Sequence, residues 1–364
     1  MELALNNAYY NKNLIHSQKP SQQTYKDKYS NIKEIKNLVR NCPKFNADLE
    51  IIKYINSGSC GIVYEGKIKG KSNKKVALKF LLNKIMESKR DKLKNQNKPN
   101  FLPKNNKEIS LQTKIKHKNI TAFYGVYAIP DSSCMVMELA KYGDLDYFQK
   151  KFIQKSCLSE TLLAYITKQI LNGLFFLHQS KIIHMDIKHQ NILIDKNLQI
   201  KLTDLSVSFS YSNKPENIIL PVAGTSLFMS PEILGKKEIN IKDCNKIDLF
   251  SLGVLLYNLA FGGYPYGLEI SDKRNFELMY NKINCNKLYI PDMEKFSSKF
   301  RNFLSGILNK EISNRLSIQE ALNHPWIIGA NEIFIEKEKI NDLEKFLINL
   351  VTDNIKAFND YINS

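Results

Sequence analysis

The sequence lacks any long apolar run, any paired cysteine motif and any internal repeat. No hydrophobic stretch approaches the roughly 20 residues of a membrane-spanning helix, and mean hydropathy is −0.33, so no membrane span is expected. The six cysteines, Cys42, Cys60, Cys134, Cys157, Cys244 and Cys285, include no CxxC pair. No histidine lies at zinc-ligand spacing from them. They read as free thiols of a reducing compartment, which predicts a soluble, cytoplasmic protein, with access to the nucleus left open. The start, Met1-Glu2-Leu3-Ala4-Leu5-Asn6-Asn7, has no basic segment followed by an apolar core and no Gly after Met. Neither a signal peptide nor N-myristoylation is therefore expected.

What is present is an ordinary globular composition. Of 364 residues, 43% are hydrophobic and 24% charged, which excludes wholesale disorder. At roughly 150 residues per domain, the length predicts two domains or lobes. Fifty-three Lys and Arg against 36 Asp and Glu leave a net charge of +17. That balance fits nucleic acid, an acidic membrane surface or acidic proteins as partners. It fits equally a coding bias towards A and T, because the chain is rich in Lys, Asn and Ile throughout. No module that interleaves aromatic and basic residues is visible, so no specific nucleic acid partner is expected.

Residues 1–46 are polar and read as a flexible extension, disordered or only partly helical. Regular pattern begins at Leu49. Leu49–Ile55 and Ile62–Ile68 read as a hairpin, and Lys74–Phe80 as a third strand. Residues 83–106 read as an inserted basic loop. A helix follows with Ile109, Leu111 and Ile115 on its apolar face, then strands over Ala122–Ile129 and Cys134–Leu139. Beyond Tyr142 the spacing turns helical: Leu163, Ile166, Ile170, Leu174 and Leu177 recur by threes and fours. Ile247–Leu259 is a second, strongly apolar helix, with later ones near Phe276–Ile283, Phe300–Leu308 and Ile318–Leu322. Strands first and helices afterwards predict an α+β chain of two packed lobes.

Three segments carry chemistry. Asn56-Ser57-Gly58-Ser59-Cys60-Gly61 lies between two strands, where glycines let backbone N–H groups approach phosphate; a plain hairpin turn explains it as well. Lys79 closes an apolar strand and needs a partner if it faces inward, for which Glu108 is the obvious candidate. His184-Met185-Asp186-Ile187-Lys188-His189-Gln190-Asn191 puts a carboxylate, an ammonium and an amide on one loop, and Thr203-Asp204-Leu205-Ser206 follows. Phosphoryl transfer needs such groups: a carboxylate for the hydroxyl proton, cations for phosphate and oxygen ligands for Mg²⁺. Ala223-Gly224-Thr225, Ser230-Pro231-Glu232, Asp248-Leu249-Phe250 and Arg315 complete the series.

In order and spacing, these motifs from about Leu49 to Trp326 make the chain resemble the eukaryotic protein-kinase family. The resemblance implies a bilobal fold. Its N-lobe, 47–139, would be a small antiparallel sheet with one main helix, and its C-lobe, 140–328, larger and mainly helical. It implies ATP and Mg²⁺ as cofactors and proteins as substrates. Ile55, Asn56, Ser57, Gly58, Ser59, Cys60 and Gly61 would form the loop over ATP. Val63, Ala77 and Leu193 would line the adenine pocket, with Met137 behind it, Glu138 and Leu139 in the hinge and Asp144 near the ribose. Lys79, paired with Glu108, would hold the α- and β-phosphates. Asp186 would orient the substrate hydroxyl and take its proton, Lys188 would neutralise the γ-phosphate, and Asn191 and Asp204 would ligate the metal. Glu232 and Arg315 would form a buried ion pair, and Asp248 would anchor the catalytic loop. Lys188 together with Gly224-Thr225 resembles the serine/threonine type.

The sequence also departs from the family. Asn56 replaces the first loop glycine, and its tolerance of positive φ is the expected reason it fits. Cys60 stands at the loop tip, where an inert exposed thiol and a reactive one are both open readings. Met185 replaces the Arg that in many kinases binds an activation-loop phosphate, which predicts activity without that phosphorylation. Ser206 replaces Gly after Leu205, so a backbone flip there should be harder and inhibitors that need it should bind weakly. Gln112 stands where an apolar residue is usual. It predicts either a looser coupling between that helix and the active site or a tolerated polar substitution. Gln190 and Asn258 are neutral where Arg-directed kinases are often acidic, so neutral or acidic substrates are expected. In the tail, 329–364, Leu343, Phe346, Leu347, Leu350, Val351, Ile355 and Phe358 recur at helical spacing. That amphipathic helix either packs on the C-lobe or serves as a docking or autoregulatory helix, the docking reading implying a regulatory partner. A pseudokinase scaffold is the alternative function; the retained set of Lys79, Glu108, Asp186, Asn191 and Asp204 argues against it.

Overall fold

The computed structural model describes residues 35–37, 39–58, 61–70, 74–82, 106–129, 132–150, 158–197, 199–294 and 296–329. The expectations for most of the N-terminal extension, the 83–106 insertion, the loop-tip residues Ser59 and Cys60 and the tail beyond 329 lie outside the described residues. The chain divides into two compact units, one formed by the first 94 residues with 126–134 and the other by the remainder.

The first unit opens with a short helix, α1 (Pro43–Asp48), started by a proline that needs no helical N–H. Its Phe45 is buried against Phe80 and Tyr127, and the Tyr127 hydroxyl donates to Asp48 Oδ2 at 2.9 Å. Strands β1 (Leu49–Gly58), β2 (Gly61–Ile68) and β3 (Lys75–Leu82) follow, paired antiparallel in succession. With β4 (Phe123–Ile129) and β5 (Ser132–Glu138) they make one five-stranded sheet in the order β1-β2-β3-β5-β4. Gly58, the last residue of β1, pairs with Gly61, the first of β2. Gly61 is required here: a Cβ on it would lie 2.3 Å from Phe80 O, and its φ is +149°.

The second unit is mainly helical. It begins with α2 (Asn106–Gln112), and later come α3 (Leu145–Phe148), α4 (Glu160–Gln179), α5 (Pro231–Leu234), α6 (Lys246–Phe261), α7 (Phe276–Cys285), α8 (Ser298–Ile307) and α9 (Ile318–Leu322). Ser159 caps α4 by accepting from Leu162 N–H, and the helix buries Leu163, Ile166, Ile170, Leu174 and Leu177, the residues its spacing predicts. α6 is buried on nearly every side, as its uniformly apolar sequence requires, and Gly262 ends it in the left-handed conformation at φ 76°. Each large apolar side chain buried this way contributes about 1.5–3 kcal/mol.

Between α4 and α6 run short strands: β6 (Ile182–Ile183), β7 (Ile192–Ile194), β8 (Ile200–Leu202), β9 (Phe209–Ser210), β10 (Asn217–Ile219) and β11 (Glu238–Asn240). They pair as β6 with β9, β7 with β8 and β10 with β11. The loops at their ends carry the candidate site. The class is α+β, as the order of elements predicts. Among the described residues no helix is long and apolar enough to cross a membrane.

Candidate active site

The loop from His184 to Asn191 is fixed from below by Asp248, a fully buried carboxylate on α6. Its Oδ1 accepts from Met185 N–H at 2.8 Å and its Oδ2 from His184 N–H at 2.9 Å. Oδ2 also lies 2.8 Å from His178 Nε2 on α4. Burial works against this carboxylate's charge. The His178 hydrogen bond, the charges of His178 and His184 and the His184 N–H outweigh burial and hold the pKa below the usual value. The anchor implied by the resemblance is thus present. It holds Met185 at φ 66°, a conformation a side chain adopts only where the surroundings enforce it.

Above that anchor four side chains meet. Asn191 Nδ2 donates to Asp186 O and to Asp186 Oδ2, each at 2.8 Å. Lys188 Nζ lies 2.7 Å from Asp186 Oδ2 and 2.7 Å from Thr225 Oγ1. Thr225 Oγ1 donates to Asp186 Oδ1 at 2.8 Å. Gly224 lets that hydroxyl approach: a Cβ on it would lie 2.2 Å from Met185 O, and its φ is +102°. A carboxylate has about four lone-pair sites. Three are taken by Asn191, Lys188 and Thr225, which leaves one for an incoming proton donor. Thr225 is the member that sequence reasoning left out of the catalytic set and used only as a mark of acceptor type. Its contact with Asp186 spans 39 positions and leaves no local pattern.

Asp204 follows β8, at φ 65°, and Thr203 N–H donates to Asn191 O at 3.1 Å, which ties its strand end to the loop. Leu205 is buried, in keeping with its apolar slot. Both donors of the Asn191 amide nitrogen go to Asp186, so its oxygen is the atom left for a cation. An amide oxygen and a carboxylate suit Mg²⁺, which keeps its waters and takes the rest of its shell from phosphate. No cluster of three His, Cys, Asp or Glu residues that could hold a metal ion occurs among the described residues.

The remaining expected residues fall as follows. In the second unit, Glu108 is buried on α2, and Met137 is buried at the end of β5. Glu138 Oε2 accepts from Ala122 N–H at 3.2 Å and meets Lys201 Nζ at 3.1 Å, and Leu139 is half-buried just beyond. Leu193 on β7 is bridged to Asp144, which caps α3 by accepting from Tyr147 N–H at 2.8 Å. Burial raises the Asp144 pKa against that hydrogen bond. In the first unit, Ala77 and Lys79 are buried on β3, Val63 is half-buried on β2, and Ile55, Asn56 and Ser57 are exposed on β1.

One expectation is corrected. Asn56 does not use positive φ: it stays in β1, paired with Val63, and its Oδ1 accepts from Ser57 N–H at 2.8 Å. Gln112 fits the reading of a tolerated polar substitution: it is buried, and its Nε2 donates to Thr121 O at 2.8 Å. The buried pair is present, with Arg315 Nη2 2.8 Å from Glu232 Oε1 and Nη1 3.2 Å from Oε2. Asn258 donates to Gly263 O at 3.1 Å, and Gln190 is exposed.

Comparison with known proteins extends the geometry. A protein kinase domain model matches residues 49–327. The chain is 30% identical over 312 residues to a probable serine/threonine-protein kinase, fhkA, of Dictyostelium discoideum, covering 78% of this chain and 50% of that one. It is 32% identical over 249 residues to death-associated protein kinase 2 of Mus musculus, covering 66% and 63%. It is 31% identical over 289 residues to an Aurora kinase of Schizosaccharomyces pombe, covering 79% and 74%. The chain thus spans half the length of the first of these relatives.

Proposed function

The chain belongs to the protein kinase family, and from that premise we propose that it is a serine/threonine protein kinase, dependent on ATP and Mg²⁺, that phosphorylates protein hydroxyls. The observation that carries the reading is the Asp186, Lys188, Asn191 and Thr225 cluster. Asp186 orients the acceptor hydroxyl through its remaining lone pair and takes the proton as the oxygen attacks. Lys188, already beside that carboxylate, offsets charge on the transferred group, and Thr225 holds both in register. Asn191 and Asp204 would hold the metal, which supplies charge neutralisation on the phosphates when bound. By the resemblance, Lys79 and Glu108 are assigned to the nucleotide phosphates, and Ile55, Asn56, Ser57, Gly58, Ser59, Cys60, Gly61, Val63, Ala77, Met137, Glu138, Leu139, Asp144 and Leu193 to the nucleotide itself.

Activity without activation-loop phosphorylation is part of the proposal. Met185 is buried and apolar, so no cation stands there to receive a phosphate. The segment after Asp204 is held instead by its own backbone. β9 pairs with β6, β10 pairs with β11, and Ile241 N–H donates to Glu216 O at 2.6 Å. Protein substrates, a regulatory partner for the tail and a cytoplasmic location complete the reading. Among the described residues Cys134 and Cys244 are buried free thiols whose pKa values burial raises.

The test is ³²P transfer from ATP to a generic Ser/Thr substrate by phosphatase-treated protein, beside Asp186→Asn. Transfer by the wild type and none by the variant is expected. Loss of transfer on phosphatase treatment overturns the independence from phosphorylation. Nucleotide binding without transfer in either form turns the reading to a pseudokinase.

A further inference from the structure

α2 carries Glu108 and is only seven residues long, too short to hold its place by its own hydrogen bonds. Each of its ends is tied to a main-chain carbonyl by a side chain. At the start, Lys107 Nζ donates to Ser208 O at 2.7 Å, across 101 positions. At the end, buried Gln112 Nε2 donates to Thr121 O at 2.8 Å. Thr121 is in turn fixed to Leu202, through its N–H at 2.9 Å and its hydroxyl at 3.1 Å.

Leu202 and Ser208 flank Asp204, so the two ties grip the strand before the candidate metal ligand and the turn after it. The turn is closed. Ser208 is fully buried, and its N–H and hydroxyl both donate to Leu205 O, at 3.3 and 2.7 Å. Its carbonyl is the group left to bond outward, and Lys107 takes it.

We propose that Lys107 is a positioning residue, whose ammonium locks α2 to the Asp204–Ser208 turn and keeps Glu108 in place without a phosphate. The proposal rests on the kinase reading of this site and names the device that makes phosphorylation dispensable. Lys107 is partly desolvated and lies near Lys214, and both effects lower its pKa. A hydrogen bond to the ammonium offsets that partial desolvation. The Ser208 carbonyl supplies that bond, and the cost of losing it falls on the helix that bears Glu108.

The test compares the full chain with Lys107→Met and Lys107→Arg, by steady-state kinetics and by amide hydrogen exchange. Lys107→Met should lower kcat by about 10- to 100-fold, the scale of an ångström-sized misplacement, and leave KM for the peptide nearly unchanged. Lys107→Arg should restore most of kcat, because it keeps a donor of similar reach. Exchange in Lys107→Met should quicken by about tenfold within 108–113 and 205–208, and stay as in the wild type along α6. A wild-type kcat in Lys107→Met overturns the proposal. So does faster exchange spread through α6, which would make Lys107 a general stabiliser of the fold. If the wild type transfers no phosphate, the kinase reading has failed separately, and exchange in α2 and the turn alone decides whether Lys107 locks them.

Discussion

A methyl group on Gly224 would meet Met185 O at 2.2 Å and Asp186 Oδ1 at 3.4 Å. Gly224→Ala must therefore push the Thr225 segment off the catalytic loop. We expect kcat to fall by about 100-fold with the protein still folded; near-normal turnover would show that the Thr225 contact is dispensable. At this scale the sequence was legible where chemistry repeats in a short span. Asp186, Lys188 and Asn191 share one loop, and the structure brings their side chains together. It was illegible where a side chain meets a distant carbonyl, as Lys107 meets Ser208, because any carbonyl along the chain could have served. Asn56 shows the opposite error: a residue type known for positive φ invited an explanation that its extended backbone does not need.

Long elements were readable from their periodicity. α4 shows its buried face every three or four residues, and α6 shows uninterrupted apolarity. The strands from β6 to β11 were not, since two or three residues contain no period to detect. Helix packing also depends on isolated polar joints. Arg315 is fully buried, forks onto Glu232 and lies 4.9 Å from the Phe250 ring centroid on α6. Arg315→Ala leaves Glu232 charged in the core and should cost about 3–5 kcal/mol. The double change Glu232→Gln with Arg315→Met should cost less, because no charge remains stranded. Denaturant melts of the three proteins check this; equal losses in the single and double variants would deny that an unpaired charge is the cause.

For the molecule as a whole, two buried groups make folding sensitive to acid. Burial, countered in part by Asp146 and Asn258, lowers the His189 pKa from 6.5 to about 4. Between those values the unfolded chain binds a proton that the folded chain refuses. Stability is full above pH 6.5 and declines as pH falls towards 4, by on the order of 3 kcal/mol at the limit. Asp248, whose folded pKa is depressed, adds a further loss once pH drops below the ordinary carboxylate value. Urea midpoints should fall steadily from pH 7 to 4.5, and His189→Gln should flatten that slope; an unchanged slope would show that His189 titrates normally. Another joint has a consequence in time. Glu160, at the start of α4, accepts from Ser297 N–H at 2.6 Å and from Trp326 Nε1 at 3.0 Å, the latter across 166 positions. At about 5–20 residues per second, a ribosome needs roughly 8–33 seconds to travel from one partner to the other. Until Trp326 is made, the first turn of α4 lacks that side of its latch, even after the catalytic loop and its Asp248 anchor have left the ribosome. A polypeptide truncated or stalled before Trp326 thus leaves that side of the latch open however long it waits.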